Sequence, residues 1–361
     1  MGLLRLLLAL GVVTEHAGHT YFIGSYTAVQ IFFVISGFYM ELIFSSGKYR
    51  NANQFYASRI ARLFPVYRIA LITGVVVAYA VYACFGTHSA ITLLEGRLSE
   101  LQSTNTPVYI WAIFSNVFLL LADFAWFMPN IDGVQHPTHL LVQPPVWTLA
   151  LELYFYALCP LLTRARTFGI LVLIGLSVSA RVLCYQFGWD VNPYHARFFP
   201  FELAFFLSGM LAYRLYANEQ FWITEVLRGR YGIGLGLVYL ACVVYLYDLV
   251  KYLPAPFLYG GFQDYVHSMV MCALAVPSIV ALFSHTRTNK LDLQLGELSY
   301  PIYVIHYGFV SAMLHTQVNL PLNISTYWAI IALTVTLAIC MHVCIQIRVD
   351  LWRQRRFMSN Y

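Results

Sequence analysis

The chain has 361 residues, of which 60% are hydrophobic and 10% charged, and its mean hydropathy is +0.67. Soluble domains carry about 25% charged residues, so a soluble globular fold is excluded and a polytopic membrane protein is expected. The formal net charge of +5 does not call for nucleic acid, because most of the surplus lies between apolar segments, where membrane orientation accounts for it.

A spanning helix needs roughly 20 apolar residues. Eleven candidate segments run over roughly 2–17, 26–45, 65–85, 108–127, 145–163, 168–187, 198–216, 232–250, 266–284, 298–316 and 323–346. The first could pass for a signal peptide. No small-residue cleavage pattern follows it, and Glu15 and His16 interrupt it, so it reads as a retained helix. Arg5 and His16 lie within it, eleven positions apart. On an α-helix that spacing leaves an offset of about 20° and an axial separation of about 16 Å, so the two share one face. Ionisable residues in such a segment are costly and point to function. An unperturbed histidine has its pKa near neutrality, so His16 can act as a general base; the competing reading is a hydrogen-bonded polar residue at a helix end. His19 follows three residues on, but two histidines without a third ligand do not make a metal site, and none is expected. Glu15 points about 100° away from His16 on a helix.

The stretch 46–64 carries Lys48, Arg50, Arg59 and Arg62 and is expected to be cytoplasmic. Arg59 and Arg62, at i and i+3, share a helix face and present two forked donors suited to phosphate. Ordinary topology charge or lipid contact is the competing reading. Pro65 is expected to open the next membrane segment. Later basic residues recur at Arg164/Arg166, Arg214/Arg228/Arg230, Arg287/Lys290 and Arg348 to Arg356. That rhythm is compatible with cytoplasmic ends only if one candidate segment does not cross. The expected fold is therefore an all-α polytopic bundle of about ten spanning helices plus one re-entrant or interfacial segment. The non-crossing segment is assigned to 108–127, which contains Asn116 and is bordered by Pro107 and Pro129.

The run from Trp147 to Tyr156 sets Glu152 several residues into a membrane helix, where it should face a cavity or a basic partner. Glu202 and His306 are similar intramembrane ionisables, each of which could equally make a structural helix–helix hydrogen bond. Gly232 and Gly236 read as helix packing. The seven cysteines show no spacing that suggests a disulfide framework or a zinc site.

Four stretches in order resemble the acyltransferase-3 family of integral membrane acyltransferases. They are Arg5-x10-His16; Phe32-Phe33-Val34-Ile35-Ser36-Gly37-Phe38; Arg59-x-x-Arg62 ahead of Leu-Phe-Pro; and Trp147-Thr148-Leu-Ala-Leu-Glu152 with Phe155 and Tyr156. Weaker similarity continues at Phe199 to Gly209 and from Leu295 to Tyr300, with His306 six residues on. The chain departs from the family pattern at Gln30, where an Asp is common, and at Leu153, where a second acid is common.

The resemblance implies an enzyme that transfers an acyl group, often acetyl, from an acyl-CoA to a carbohydrate hydroxyl of a cell-envelope or secreted glycan. It implies His16 as general base with Glu152 as a second catalytic candidate, and Arg5, Arg59 and Arg62 at the acyl-CoA. The expected domains are an acyltransferase-like membrane unit over 1–346 and a short basic cytoplasmic tail over 347–361, with no soluble C-terminal domain. The expected location is the inner or plasma membrane, with both termini cytoplasmic. The expected partners are the bilayer, the acyl-CoA and a carbohydrate or lipid-linked glycan. A proton-coupled transporter or flippase without chemistry is the competing function, because intramembrane Glu and His also suit proton relays.

Overall fold

A computed structural model describes residues 1–20, 22–134, 136–188, 193–246, 262–314 and 325–357. Among the described residues there are helices and turns but no β-strand. The helices are α1 (Gly2–His16), α2 (Ser25–Ser45), α3 (Ala52–Phe85), α4 (Leu94–Thr104), α5 (Thr106–Phe118), α6 (Trp147–Leu162), α7 (Thr167–Gln186), α8 (Tyr194–Arg197), α9 (Phe199–Ala217), α10 (Trp222–Arg228), α11 (Arg230–Ala241), α12 (Phe262–Thr286), α13 (Lys290–Phe309), α14 (Thr326–Met341) and α15 (Ile347–Phe357). Wide π turns extend α11 to Leu246 and α13 to Leu314, and join α14 to α15.

Among the described residues six helices are long and apolar enough to cross a membrane, and seven if the pair α10–α11, bent by 69°, is one span. The expected count of ten is not reached on length and composition alone. The shortfall has a physical origin. Helix α1 has 15 residues, about 23 Å, against a bilayer core of about 30 Å. Helices α9 and α13 are long enough, but Glu202 and Arg214 in one, and Lys290, Asp292 and Glu297 in the other, dilute their apolar character.

Helix α3 differs from its sequence reading. It runs unbroken for 34 residues through Pro65, which therefore does not open the segment. Asn51 caps its start by accepting from the Gln54 amide at 2.9 Å, and Gly86, at φ +70°, ends it. A proline removes one backbone donor from a helix, and a neighbouring side chain can compensate. The carbonyl that Pro65 leaves without a donor is that of Ala61; the Tyr300 hydroxyl donates to a different one, Leu63, at 2.7 Å. Arg59 and Arg62 thus stand on the rigid extension of a span, not in a loop.

The segment assigned to 108–127 contains α5, 13 residues long and so about 20 Å, short of a full crossing. It ends at Leu119, and both Leu119 (φ 65°) and Leu121 (φ 62°) take the left-handed conformation. Asn116 secures this turn. Its amide donates to the carbonyls of Ala112 and Leu140 at 2.8 Å each, and its oxygen accepts from the Val142 amide at 2.9 Å.

Packing sets the two ends of the bundle. Helix α1 lies against α2 and α13, α2 against α9, and α13 against α3. Backbones touch where α2 meets α9: a Cβ on Gly37 would overlap the Phe206 carbonyl, and one on Gly209 the Val34 carbonyl. At one end Glu41 pairs with Arg214 at 2.7 Å, Arg287 donates to the Tyr216 hydroxyl at 2.7 Å, and Arg353 donates to Ser58 at 3.1 Å. The start of α1 meets the start of α13 at this same end, through Asp292. At the other end Glu15 accepts from the Ser25 amide at 2.6 Å and its hydroxyl at 2.7 Å, so it caps α2. Residues 347–357, read from the sequence as a tail, form α15, which packs on α3 with Arg353 buried.

Candidate active site

A cavity of about 420 Å³ opens among α1, α2, α3, α6, α13 and α15 at the basic end. Arg5, Arg59, Arg62 and Glu152 all line it, so four of the five expected site residues meet in one space. Helix α3 brings in the two arginines. Arg59 is 3% exposed, and its Nη2 donates to the Tyr49 hydroxyl at 3.1 Å. Its guanidinium lies between Phe55 and Tyr156, 5.8 and 5.9 Å from the ring centres, a cation–π arrangement. Helix α6 supplies Glu152, which accepts from Ser36 at 3.0 Å and from the Tyr156 hydroxyl. Ser36 belongs to the aromatic–Ser-Gly-Phe stretch of α2, so two of the sequence motifs join at this carboxylate.

Arg5 enters from α1, beside Gly296, where a side chain would come within 3.4 Å of its Nη1. Asp292 closes the cavity edge in the first turn of α13, ahead of that helix's apolar stretch. Its carboxylate accepts from the amides of Gly2 and Leu3 and from the Met1 amine, each at 2.8 Å, and so caps α1.

His16 is not among the cavity walls. It ends α1 and pairs with His306 of α13, Nδ1 to Nε2 at 2.8 Å, with ring planes only 9° apart. His306 is fully buried, and its Nδ1 lies 2.6 Å from the Tyr303 carbonyl. A carbonyl only accepts, so Nδ1 of His306 carries a proton. With His306 neutral, its Nε2 is then the acceptor, and Nδ1 of His16 is the donor. The lone pair of His16 is thereby assigned to Nε2. Tyr303 couples this pair to the cavity, which it lines together with Thr148. Its hydroxyl donates to the Pro145 carbonyl at 2.7 Å and lies 2.7 Å from the Thr148 hydroxyl.

The other intramembrane acid is committed elsewhere. Glu202 is fully buried and ion-paired with Arg181, and Gln30 donates to it at 3.4 Å. An Asp in place of Gln30 would face that carboxylate with a second negative charge. His19 packs edge-on to Tyr327, and no group of three metal-ligating side chains occurs among the described residues. Gly236 meets Leu282 of α12, and Gly232 meets the Leu227 carbonyl of the preceding helix. Lys48, Arg287 and Arg353, which the sequence offers only as orientation charge, also line the cavity. Only their common end of the bundle joins them.

Comparison with known proteins agrees with this arrangement of motifs. The acyltransferase-3 family model, described as an acyltransferase domain, matches residues 1–343. The chain is similar to the exopolysaccharide production protein ExoZ of Rhizobium meliloti (strain 1021), 28% identical over 83% of this chain and 80% of that protein. It is similar to nodulation protein 10 of Rhizobium leguminosarum bv. viciae, 26% identical over 84% of this chain and 80% of that protein. It is also similar to the putative peptidoglycan O-acetyltransferase YrhL of Bacillus subtilis (strain 168), 24% identical over 85% of this chain and 48% of that protein. No solved structure matches. With the family model covering nearly all of its length, the chain belongs to the acyltransferase-3 family of membrane acyltransferases.

Proposed function

We propose that this chain is a membrane O-acyltransferase that moves an acyl group, in the simplest case acetyl, from acyl-CoA to a hydroxyl of a cell-envelope or secreted glycan. The observation that carries the reading is a juxtaposition: Tyr303, which lines the basic cavity with Glu152 and Thr148, accepts through its carbonyl from His306, the hydrogen-bond partner of His16. The basic end is cytoplasmic by the positive-inside rule, and both termini lie there. The ten crossings are then the six apolar helices, the bent pair, and α1, α9 and α13. Helix α5 and its turn return to the side they left. Residues 1–346 form the acyltransferase unit, and the bilayer is that of the inner or plasma membrane.

Phosphates of the donor suit Arg59 and Arg62, and Arg5 stands deeper, near Glu152. The neutral pantetheine arm carries the thioester inward. Nε2 of His16 takes the proton of the acceptor hydroxyl as its oxygen attacks the thioester carbon. The C–S bond breaks, and the proton passes from His16 to the leaving thiolate. Such general acid–base help is worth about 10²–10⁴-fold. Glu152 holds Ser36 and Tyr156 and offsets the positive charge of the cavity. The test is purified chain in nanodiscs with acetyl-CoA and envelope glycan from a strain lacking it. Release of free thiol with matching glycan acetylation is expected; glycan movement without thioester loss overturns the assignment.

A further inference from the structure

The cavity mouth holds more positive charge than the Arg59/Arg62 pair supplies. With Arg5, Lys48, Arg287 and Arg353 there are six basic side chains in its walls, against three acidic ones, Glu152, Asp292 and Glu297. Two of the three acids are already engaged, Asp292 by the start of α1 and Glu152 by Ser36 and Tyr156. Arg353 stands out within α15. It is 5% exposed, whereas Arg348, Arg355 and Arg356 of the same helix face outward. Asp350 holds one edge of its guanidinium, at 3.0 Å to Nε and 2.8 Å to Nη2, and Nη1 donates to Ser58 at 3.1 Å. Ser58 is 2.8 Å from the Tyr49 hydroxyl, which accepts from Arg59. One hydrogen-bonded chain therefore ties the C-terminal helix to the Arg-x-x-Arg pair.

A guanidinium has five N–H groups, and these contacts use three. Arg59 and Arg62 are among the charges acting on Arg353, and all three arginines act on Lys48. Buried Nε of Arg59 has no hydrogen-bond partner among the described residues. Like charges gathered in a half-dry mouth are costly unless an anion lies across them. The pantetheine arm is neutral and offers these groups no opposite charge. The phosphates of the nucleotide end do.

Resting on the acyl-CoA reading above, we infer that Arg353 and Lys48 form a subsite for the phosphates of the donor's nucleotide end, which makes α15 part of the donor site. Binding of this kind is charge-assisted and weakens with salt.

The experiment compares acetyl-CoA with S-acetyl-pantetheine, which lacks every phosphate, on the full chain in nanodiscs. Arg353→Gln raises KM for acetyl-CoA about ten-fold, leaves kcat within about two-fold, and leaves KM for S-acetyl-pantetheine unchanged. Lys48→Gln shifts KM in the same direction and stands in if Arg353→Gln does not accumulate. Exposed Arg356→Gln changes neither donor. An unchanged KM for acetyl-CoA in both variants, or equal shifts with both donors, overturns the subsite while leaving the transferase intact. A shift that follows the phosphatidylglycerol content of the nanodisc assigns Arg353 to a lipid headgroup and also overturns it. If the unaltered chain transfers no acetyl from acetyl-CoA, the acyl-CoA reading fails and the subsite fails with it.

Discussion

His306 decides what His16 can do. The Tyr303 carbonyl pins the proton on one nitrogen of His306, and His306 in turn pins it on Nδ1 of His16. Without His306 as acceptor the His16 proton is free to move to Nε2, which in the proposed mechanism blocks the nitrogen that takes the proton of the glycan hydroxyl. His306→Phe is expected to lower kcat by about 10²-fold with little change in KM for acetyl-CoA, because the donor phosphates lie elsewhere. His306→Gln, whose side-chain oxygen can still accept from Nδ1, is expected to restore part of the rate. Equal losses in both variants would make His306 a packing residue only. His16 was legible in the sequence from its spacing to Arg5, because helix geometry is local. Its partner was not, because it lies 290 positions away and only the fold joins them. Glu202 shows the converse: its burial was foreseeable, but only the structure reveals that Arg181 already claims it.

Helices were legible where apolar runs are long, and misjudged where one element continues past a local signal. Pro65 reads as a helix start by propensity, yet α3 passes through it at the loss of one backbone hydrogen bond, to the Ala61 carbonyl. Basic residues after 346 read as a tail by composition, yet Asp350 and Ser58 anchor Arg353 and dock α15 on α3. Gly232 and Gly236 caught attention by their spacing, but backbones of different spans also touch where α2 meets α9, at Gly37 and Gly209, and where α1 meets α13, at Gly2. That distinction gives predictions of opposite sign. Gly209→Val must push two backbones apart, and overpacking of this kind costs about 1–3 kcal/mol. Gly234 has open space around it, so Gly234→Ala is expected to raise helix stability by a few tenths of a kcal/mol up to about 1 kcal/mol. Melting midpoints in one detergent test both. A Gly209→Val protein as stable as the parent would show that the contact between α2 and α9 relaxes freely.

At the scale of the molecule the charge pattern and the contacts agree on two unlike ends. Arg5 of α1, Lys48 after α2, Arg59 and Arg62 of α3, Arg214 of α9 and Arg287 after α12 gather at one end with Arg353 of α15. The other end holds His16, the Glu15 cap on α2, and Arg197 stacked over Trp126 and Trp147. If the positive-inside rule orients this division, the proposed donor mouth faces the cytoplasm and the histidine pair the opposite side. Acyl transfer would then be vectorial, with the acyl group crossing part of the bilayer inside the protein while CoA stays behind. The consequence is testable without any substrate. In a background lacking the seven native cysteines, Thr20→Cys and Ser46→Cys each put one thiol in an exposed turn, next to His16 and at the end of α2 respectively. In intact cells, with any outer envelope opened, a membrane-impermeant maleimide is expected to label Cys at 20 and to reach Cys at 46 only after the membrane is permeabilised. Labelling of both from the outside would mean that α1 and α2 do not straddle the bilayer. The reverse pattern would turn the donor mouth outward, where no CoA pool exists to supply it, and would rule out the transfer direction argued from the charge.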